Sequence, residues 1–521
     1  MPLLSADEGG FFQAISRLAY ANPFLPECVE WERAALGGEF EESEPVWSLP
    51  VKTPERPRGN VRKIAERLSS ELERIRVRLA SGVEAREEEL TLYEDAVLYL
   101  LYHRYYPRFF LAGAGGAQGS AAAGRWRFYN EFLADWQHFF QLVGIAFPSG
   151  HEPRHTFACF RQIQRAFEQV FGDIIGGSMP AARLRAAVWQ SIFTHDMRRY
   201  RRTLYSRMGE FATLITGPSG TGKELAARAI GQSRYAAFDD RRLAFPGEAE
   251  CLFFPINISA LSPTLVESEL FGHLRGAFTG AIATRNGWLE TCPALGSVFL
   301  DEIGDLDTAI QVKLLRVIET RTFHPVGGTG TSQFRGKLIT ATNRDLATAM
   351  RKGQFREDLY YRLCSDQIAT PSLAEQLADS PGMLDEVVYH MAKRVAGAEA
   401  DDLASEVTRW IETKLGRSYG WPGNYREMEQ CVKNVLIRRN YRASGTAAGP
   451  TAADAAEEFA REVRSGSLTA DELLTHYITL VYSRTRSYEE TGRRLGLDRR
   501  TVKAKVDRDL LEKWGGSGIE G

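Results

Sequence analysis

Hydrophobic and polar residues follow a helical period through the first third of the chain. In Arg62–Arg86 apolar positions recur every three or four residues among many charges, which predicts an amphipathic helix. These positions are Ile64, Leu68, Leu72, Ile75 and Leu79. A second apolar stretch, Thr91–Phe110, is expected to end near Pro107, because proline interrupts a helix. Trp126–Phe147 resumes an aromatic helical pattern.

The pattern changes between residues 174 and 369. Short apolar runs alternate there with helical segments, which indicates a parallel sheet flanked by helices. The runs are Ala212–Thr216, Phe253–Ile258, Ser297–Leu300 and Lys337–Ala341. Helical spacing returns over residues 370–440, and a small basic helical region ends the chain. The predicted fold class is therefore multidomain, with an α/β core and all-α parts.

Composition narrows the class of protein. The 521 residues are 44% hydrophobic and 25% charged, which is ordinary for globular proteins and argues against disorder as the main state. The net charge of −2 shows that the chain is not basic throughout. No apolar run reaches the roughly 18 residues of a membrane helix, and Met1–Gly10 does not read as a signal peptide. Six scattered cysteines without a CxxC pair are typical of reduced thiols, so we expect a cytoplasmic protein without a membrane partner.

A glycine-rich loop follows the run Ala212–Thr216 and precedes the helical segment Glu224–Ile230. It reads Gly217, Pro218, Ser219, Gly220, Thr221, Gly222 and Lys223. In such a loop the backbone N–H groups converge on phosphate, the helix N-terminus adds its dipole, and the lysine reaches the β- and γ-oxygens. The next position usually holds a Ser or Thr that binds Mg²⁺, and Glu224 stands there instead. The loop predicts a nucleotide site.

Two carboxylates follow the run Ser297–Leu300. They stand at the carboxyl end of a predicted strand, where α/β sheets bind their ligands. We expect Asp301 to hold Mg²⁺ through water and Glu302 to polarise the water that attacks the phosphate. The loop and this strand end together predict hydrolysis of a nucleotide with Mg²⁺.

Two further motifs accompany the loop and the carboxylates. One is Glu267–His273, and the other is the hexapeptide Gly276, Ala277, Phe278, Thr279, Gly280 and Ala281. Over about Ile174–Arg438 the chain resembles the AAA+ P-loop domain of bacterial sigma-54-dependent transcription activators. In that family the GAFTGA hexapeptide tips a mobile loop that contacts sigma-54 and couples ATP hydrolysis to remodelling of the closed promoter complex. The resemblance implies that Phe278 and Thr279 make this contact.

The resemblance also implies roles for five polar residues. Asn343 looks like the sensor I residue that responds to the γ-phosphate, and Asn257 looks like the switch asparagine that restrains the catalytic glutamate. Arg356 and Arg362 match the arginine fingers that enter a neighbouring subunit's site. Arg426 matches the sensor II arginine of the helical lid. Fingers that act in trans imply a ring, usually a hexamer in this family.

Three segments depart from the family pattern. Thr370–Gln376 lacks two charges of the usual Pro-Pro-Leu-Arg-Glu-Arg stretch, so we expect the junction of the lid to differ. Phe193–Met208, which is strongly basic, and Tyr235–Glu250 are extra residues. We expect both to be surface elaborations, the basic one a solvated helix face; contact with nucleic acid or a neighbouring subunit is its alternative.

The C-terminal region carries a candidate DNA-binding module. Two short helical segments meet through Leu495-Gly496-Leu497, and Asp498 can cap the second one, which fits a helix-turn-helix. Residues 484–508 contain nine Lys or Arg and four Asp or Glu, a local balance of +5 that suits phosphate contacts. The pattern resembles the Fis-type module that ends many members of the family. The candidate contacts are Arg499, Arg500, Thr501, Lys503 and Lys505.

Two other features are better explained as ordinary structure than as functional sites. His151–His155 has the letters of the HExxH zinc-protease motif, but Pro153 argues against the continuous helix which that motif needs, so we expect solvated loop histidines. The tyrosines Tyr99, Tyr102, Tyr105 and Tyr106 could line a pocket, although aromatic residues at helical spacing are more often core.

The N-terminal third lacks the acidic cluster and the βα repeat of a receiver domain. We expect a helical regulatory domain that senses a ligand or a partner.

The sequence therefore predicts an ATP-hydrolysing activator that binds double-stranded DNA upstream of promoters and remodels sigma-54 RNA polymerase. The predicted domains are 1–173 (helical, regulatory), 174–369 (AAA+ core), 370–440 (helical lid), 441–469 (linker) and 470–521 (helix-turn-helix). A regulator that acts by occupying DNA, without sigma-54 remodelling, is the first alternative. An unrelated AAA+ remodeller of protein substrates, with a tail that does not bind DNA, is the second.

Overall fold

The computed structural model describes most of the chain as two units. One comprises Met1–Ala404 with Leu415–Arg426, and the other comprises Ser405–Lys414 with Glu427–Gly521. The described residues are 3–42, 59–114, 125–150, 152–443, 459–460, 463–464, 466, 468–485, 487–507 and 510–511. The predicted linker, residues 441–469, lies largely outside them.

Eight α-helices of the described residues precede the sheet. They are α1 (Ala6–Tyr20), α2 (Glu27–Leu36), α3 (Gly59–Ala80), α4 (Glu87–Ala114), α5 (Tyr129–Phe140), α6 (Pro153–Asp173), α7 (Met179–Phe193) and α8 (Met197–Arg199). The predicted amphipathic helix is confirmed as α3, since all five of its apolar positions are buried. It ends at Ala80 rather than at Arg86.

Two helix ends differ from those predicted. Helix α4 continues through Pro107 to Ala114. An internal proline removes one backbone hydrogen bond, and burial of the neighbouring rings of Tyr105 and Phe109, which are 4% and 0% exposed, offsets that loss. Helix α5 stops at Phe140, and residues 141–147 belong to no helix, so the prediction of a helix to Phe147 was wrong at this end.

Five parallel strands form the central sheet of the first unit. Among its described residues the unit has two further strands outside this sheet. The strands, in chain order, are β1 (Thr213–Thr216), β2 (Phe253–Asn257), β3 (Ser297–Asp301), β4 (Thr322–Phe323), β5 (Ser332–Gln333), β6 (Lys337–Thr342) and β7 (Asp366–Ala369). The sheet order is β2-β3-β6-β1-β7, and β4 pairs with β5 in a separate antiparallel ribbon. All four predicted runs are confirmed as strands. The apolar pattern missed β7, because only Ile368 among its side chains is buried.

Helices cover the sheet and continue beyond it. Within the sheet region they are α9 (Lys223–Gln232), α10 (Pro263–Phe271), α11 (Trp288–Thr291), α12 (Thr308–Thr320), α13 (Leu346–Arg351) and α14 (Glu357–Leu363). After it come α15 (Leu373–Asp379), α16 (Met383–Ala396), α17 (Ala400–Lys414) and α18 (Asn424–Arg438). The second unit ends in α19 (Ala470–Thr485), α20 (Tyr488–Leu495) and α21 (Arg499–Lys505). The fold class, α/β with all-α parts, is confirmed.

One aromatic core joins the N-terminal helices to the segment between α9 and β2. Phe157 of α6, which is fully buried, meets the rings of Phe238 at 4.7 Å and Phe245 at 6.0 Å. Trp126 and Tyr129 contact the same two phenylalanines from the α5 side. The expectation that Tyr235–Glu250 is a surface elaboration was therefore wrong. Its apolar side chains complete a core that the helices alone leave open.

One side of the basic segment before β1 is anchored to the N-terminal helices. Tyr200 is 2% exposed, and its hydroxyl donates to Gln162 of α6 at 2.7 Å. Arg198 pairs with Asp95 of α4, whose carboxylate is buried and also accepts from Tyr20 at 2.6 Å. Residues 200–204 form a π-helical turn. The expectation of a solvated face holds for one side only: the segment docks on α1, α4 and α6, while Arg199, Arg202 and Arg207 are exposed.

The tyrosines of α4 belong mainly to the core. Tyr99 and Tyr105 are 6% and 4% exposed, and Tyr102 packs edge-on against Phe160 of α6. Burial raises the pKa of Tyr106 to about 12. This favours the core interpretation over a pocket. No helix in the described part of the chain combines the length and apolarity that crossing a bilayer requires.

Replacing Phe238 with alanine tests the shared core. Because its ring lies between Phe157 and Tyr129, Phe238→Ala should destabilise the first unit by about 3 kcal/mol through lost burial and the cavity left behind. A lower midpoint of thermal unfolding would show this. Val143→Ala, at a fully exposed side chain, is the control and should leave the midpoint unchanged. Equal midpoints for the two variants would contradict the shared core.

Candidate nucleotide site and sigma-54 contact loop

The phosphate loop connects β1 to α9 at the carboxyl edge of the sheet. Three of its glycines have positive φ: Gly217 at 147°, Gly220 at 77° and Gly222 at 89°. A Cβ at Gly220 would lie 2.4 Å from the carbonyl oxygen of Gly423, so only glycine fits this close approach. The loop predicted from the sequence therefore has the strand–loop–helix setting that phosphate binding requires.

Lys223, the first residue of α9, folds back onto the loop. Its Nζ donates to the carbonyl oxygens of Gly217 at 2.9 Å and Pro218 at 3.0 Å. Burial lowers the pKa of Lys223, while the carboxylates of Glu302 and Asp301 act in the opposite direction. Glu224 points away and pairs with Arg228 of its own helix at 2.8 Å. The ammonium group is held where a bound phosphate could replace the two carbonyls as its partner.

The two carboxylates lie at the end of β3, facing Lys223 across the sheet edge. Glu302 has left-handed backbone angles (φ 56°), an uncommon conformation for a glutamate. Its Oε2 accepts the backbone N–H of Asn343 at 3.1 Å, and Asp301 Oδ1 accepts the N–H of Glu302 at 3.0 Å. Burial, and then the charge of Glu302, raise the pKa of Asp301. A cation would relieve this repulsion, so the donor set fits Mg²⁺.

The other predicted polar residues occupy two zones. Asn343 follows β6 directly beside Glu302. Asn257 ends β2 next to Asp301 in the register, and its Oδ1 accepts from Ser259 at 2.7 Å. Arg356 and Arg362 are instead on or next to α14, where they pair with Asp358 and Glu319 respectively. Both guanidinium groups are exposed.

Asn424, which the sequence analysis did not single out, bridges three parts of the site. Its Nδ2 donates to the carbonyl oxygen of Ser219 in the phosphate loop at 2.9 Å. Its Oδ1 accepts the N–H of Leu373, the first residue of α15, at 2.8 Å. The backbone is left-handed (φ 52°), which asparagine tolerates better than most residues. The turn composition Trp-Pro-Gly-Asn is the sequence signal that could have revealed this position.

The neighbours of Asn424 reinforce the same junction. The N–H of Tyr425 donates to the carbonyl oxygen of Gly220 at 3.1 Å. Arg426 Nη1 lies 3.3 Å from Ser219 Oγ, so the sensor II candidate reaches the phosphate loop. On the opposite side of the loop, the hydroxyls of Thr221 and Thr370 lie 2.7 Å apart, and both residues are buried. The segment Thr370–Gln376, which differs from the family pattern, thus makes a polar contact with the loop through Thr370.

The GAFTGA hexapeptide forms an exposed turn. The N–H of Gly276 donates to the carbonyl oxygen of Ala281 at 2.9 Å, which closes the turn, and Thr279 lies at its exposed tip. Gly276 and Gly280 have φ values of 83° and 104° that other residues rarely adopt.

The base of this turn is held by backbone and side-chain contacts. His273 and Arg285 exchange two backbone hydrogen bonds of 2.9 Å. The His273 ring meets the Phe278 ring edge-on at 5.0 Å, and its Nδ1 lies 2.7 Å from Ser268 Oγ. His273 therefore orients Phe278 from within the Glu267–His273 motif.

Comparisons with known proteins agree with this geometry. A family described as "Sigma-54 interaction domain" matches residues 192–369. Residues 192–369 are a sigma-54 interaction domain. Over this segment the chain is similar to sigma-54-dependent transcription activators. The matched segment contains the phosphate loop, both carboxylates, the GAFTGA turn and α14.

Individual relatives share more than this domain. The transcriptional regulatory protein GlrR of Escherichia coli K12 is 36% identical over 310 residues, which cover 56% of this chain and 65% of GlrR. The Nif-specific regulatory protein of Azotobacter vinelandii is 42% identical over 224 residues, covering 43% and 39%. The chain thus spans less than two thirds of either relative. A crystal structure of NtrX from Brucella abortus with ADP is 22% identical, has a TM-score of 0.39, and covers 74% of this chain and 79% of NtrX.

The helix-turn-helix candidates lie in the second unit. Gly496 ends α20 in a left-handed conformation (φ 66°), and Asp498 Oδ1 accepts the N–H of Arg500 at 2.7 Å to cap α21. Val502 is the buried residue of α21. Arg499, Arg500, Thr501 and Lys503 are exposed around it, whereas Lys505 pairs with Asp471 of α19.

His155 sits within α6 and is not a solvated loop residue, so that expectation was wrong. Its Nδ1 lies 2.8 Å from Tyr235 Oη and its Nε2 2.8 Å from the carbonyl oxygen of Arg201. Burial lowers the pKa of His155. His151 lies outside the described residues. In the part of the chain that the structure describes, no group of three or more His, Cys, Asp or Glu suits a metal ion.

Asn424→Asp tests the bridge between the phosphate loop and the helices that follow the sheet. Aspartate keeps the shape and tolerates the backbone, but it cannot donate to Ser219, and it adds a negative charge beside the loop. We expect about tenfold weaker ATP binding, measured with a fluorescent ATP analogue. Asn434→Asp, whose parent amide bonds within its own helix, should bind like the wild type. Equal affinity in both variants would contradict the bridge.

Proposed function

We propose that the protein is an ATP-hydrolysing transcription activator that remodels sigma-54 RNA polymerase. The observation that carries the proposal is the exposed GAFTGA turn within the same sigma-54 interaction domain as the phosphate loop. A turn of that sequence, built on a base held by backbone and side-chain contacts, suits a contact loop. ATP hydrolysis by the phosphate loop and the carboxylates of the same domain would supply the free energy for remodelling.

The hydrolytic step is assigned to groups at the carboxyl edge of the sheet. The loop N–H groups and Lys223 bind the triphosphate, and Asp301 would hold, through water, a Mg²⁺ ion that would supply positive charge to the phosphate oxygens. Glu302 orients the attacking water and accepts its proton. The N–H of Asn343, which donates to Glu302 at 3.1 Å, keeps that carboxylate in place. Asn257 is proposed as the residue that restrains Glu302 between turnovers.

Completion of the site is assigned to a neighbouring subunit. Arg356 and Arg362 are exposed in ion pairs on α14, and exposed ion pairs are weak enough to exchange partners. A ring, with a hexamer as its expected size, would bring each arginine to the γ-phosphate bound by the next subunit. Because these arginines would complete a neighbouring subunit's site, ATP hydrolysis would depend on assembly of the ring.

DNA binding is assigned to α21 in the second unit. Its exposed Arg499, Arg500, Thr501 and Lys503 form a basic face on a capped helix, which suits the major groove of double-stranded DNA. Binding upstream of a promoter would place the ring near sigma-54 polymerase. Because the polymerase is the target, we place the protein in the cytoplasm.

Two substitutions separate hydrolysis from remodelling. Glu302→Ala should still bind ATP but hydrolyse it at least about 10²-fold more slowly, because the group that activates water is lost. Thr279→Ala should hydrolyse ATP normally yet fail to open a sigma-54 promoter complex. Thr320→Ala, an exposed threonine of α12, is the control and should match the wild type in both assays. A wild type that forms no ATP-dependent open complex would instead favour a regulator that acts by occupying DNA.

Two basic residues of α21 should differ in their effect on DNA affinity. Arg500→Ala should weaken binding to a random-sequence duplex about tenfold at low salt. Lys505→Ala should weaken it less, because Lys505 already pairs with Asp471. Mobility shifts over a salt series measure both affinities. A wild type without a salt-sensitive shift would contradict the DNA-binding assignment and favour a remodeller of protein substrates.

A further inference from the structure

The helix that begins at the phosphate loop ends inside the N-terminal helical region. Lys223 opens α9, and the chain leaves α9 after Gln232 directly into Ser233 and Arg234. Gln162 Nε2 of α6 donates to the carbonyl oxygen of Ser233 at 2.8 Å, and Arg165 of α6 donates to that of Arg234. Side chains of α6 therefore hold the carboxyl end of α9.

The side of α9 is held by the same helix. Ala226, Ala227, Ala229 and Ile230 of α9 are buried in one cluster with Ala166 and Val170 of α6. Small side chains let two helices approach closely and leave little room for one to slide against the other. On its other face α9 meets the sheet, where a Cβ on Gly231 would lie 2.9 Å from the Phe253 ring. Helix α9 is thus clamped between β2 and α6.

The segment after α9, residues 233–248, extends the clamp into the helical region. Tyr235 Oη lies 2.8 Å from His155 of α6, and Phe238 packs on Phe157. Glu248 closes the segment by pairing with Arg161 of α6 at 2.7 Å, in a contact that is largely buried. A displacement of α6 would therefore carry residues 233–248 and α9 with it.

We propose that the helical region regulates ATP binding through α6, with residues 233–248 as the coupling element. The proposal rests on the proposed ATP site. Lys223 is fixed to the amino end of a short, stiff helix, so moving the carboxyl end of that helix moves the ammonium group relative to the loop. Linkage is reciprocal: a ligand or partner that biases α6 changes ATP affinity by the same factor by which ATP changes the affinity for that ligand or partner.

Hydrogen exchange with and without an imido analogue of ATP tests this coupling in the full-length protein. In the wild type the analogue should slow exchange in residues 217–232 and also in 153–173 and 233–248, by about fivefold or more. The double variant Tyr235→Phe/Glu248→Gln should keep the slowing at 217–232 and lose it in α6. Arg241→Gln, at an exposed side chain of the same segment, should behave like the wild type.

The outcomes distinguish a failure of the proposed coupling from a failure of the proposed ATP site. No slowing at 217–232 in the wild type would overturn the ATP site itself. Slowing confined to 217–232 would leave that site intact and overturn the coupling. Full slowing of α6 in the double variant would overturn the role of residues 233–248. Tyr235→Phe alone, which removes one hydroxyl, answers the same question if the double variant does not fold.

Discussion

The buried aromatic core around Phe157 is the constraint on which the first unit depends. Rings from α4 and α5 contact this α6 side chain, and Phe238 and Phe245 from beyond α9 pack against it as well. Apolar surface of this size cannot be exposed without a large cost in free energy. The helical region is therefore not a detachable module on a linker. It shares its core with residues 233–248, the segment that directly follows α9.

The nucleotide site depends on that core at one end and on strained backbone at the other. Glu302 and Asn424 both hold left-handed conformations, and each gains hydrogen bonds that join separate segments. Glu302 connects β3 to the residue after β6, and Asn424 connects the phosphate loop to the start of α15. The loop is thus held by Asn424, which also bonds to the start of α15, and by the helical region through α9. Such a site can respond to changes on either side.

The local sequence was sufficient to predict those parts of the site that are formed by a single continuous motif. The phosphate loop and the carboxylates after β3 could be located because their spacing fixes strand and loop, and the GAFTGA hexapeptide was located through the resemblance to the family. The pattern missed β7, which has a single buried side chain, and it ended α4 at Pro107, where aromatic burial prevails over the lost hydrogen bond. Tyr235–Glu250 was misjudged for a related reason. Its partners lie some eighty residues away in α6, and no local period reveals a long-range core.

Because they share one aromatic core, the helical region and the α/β core should unfold as one body. Proteolysis along a temperature ramp, read by mass spectrometry, tests it most directly by following peptides of residues 59–140 and 213–369 in the same sample. We expect both sets to become cleavable at the same temperature, and ATP to raise that temperature equally for both. Release of the 59–140 peptides at a lower temperature that ATP does not change would contradict the account.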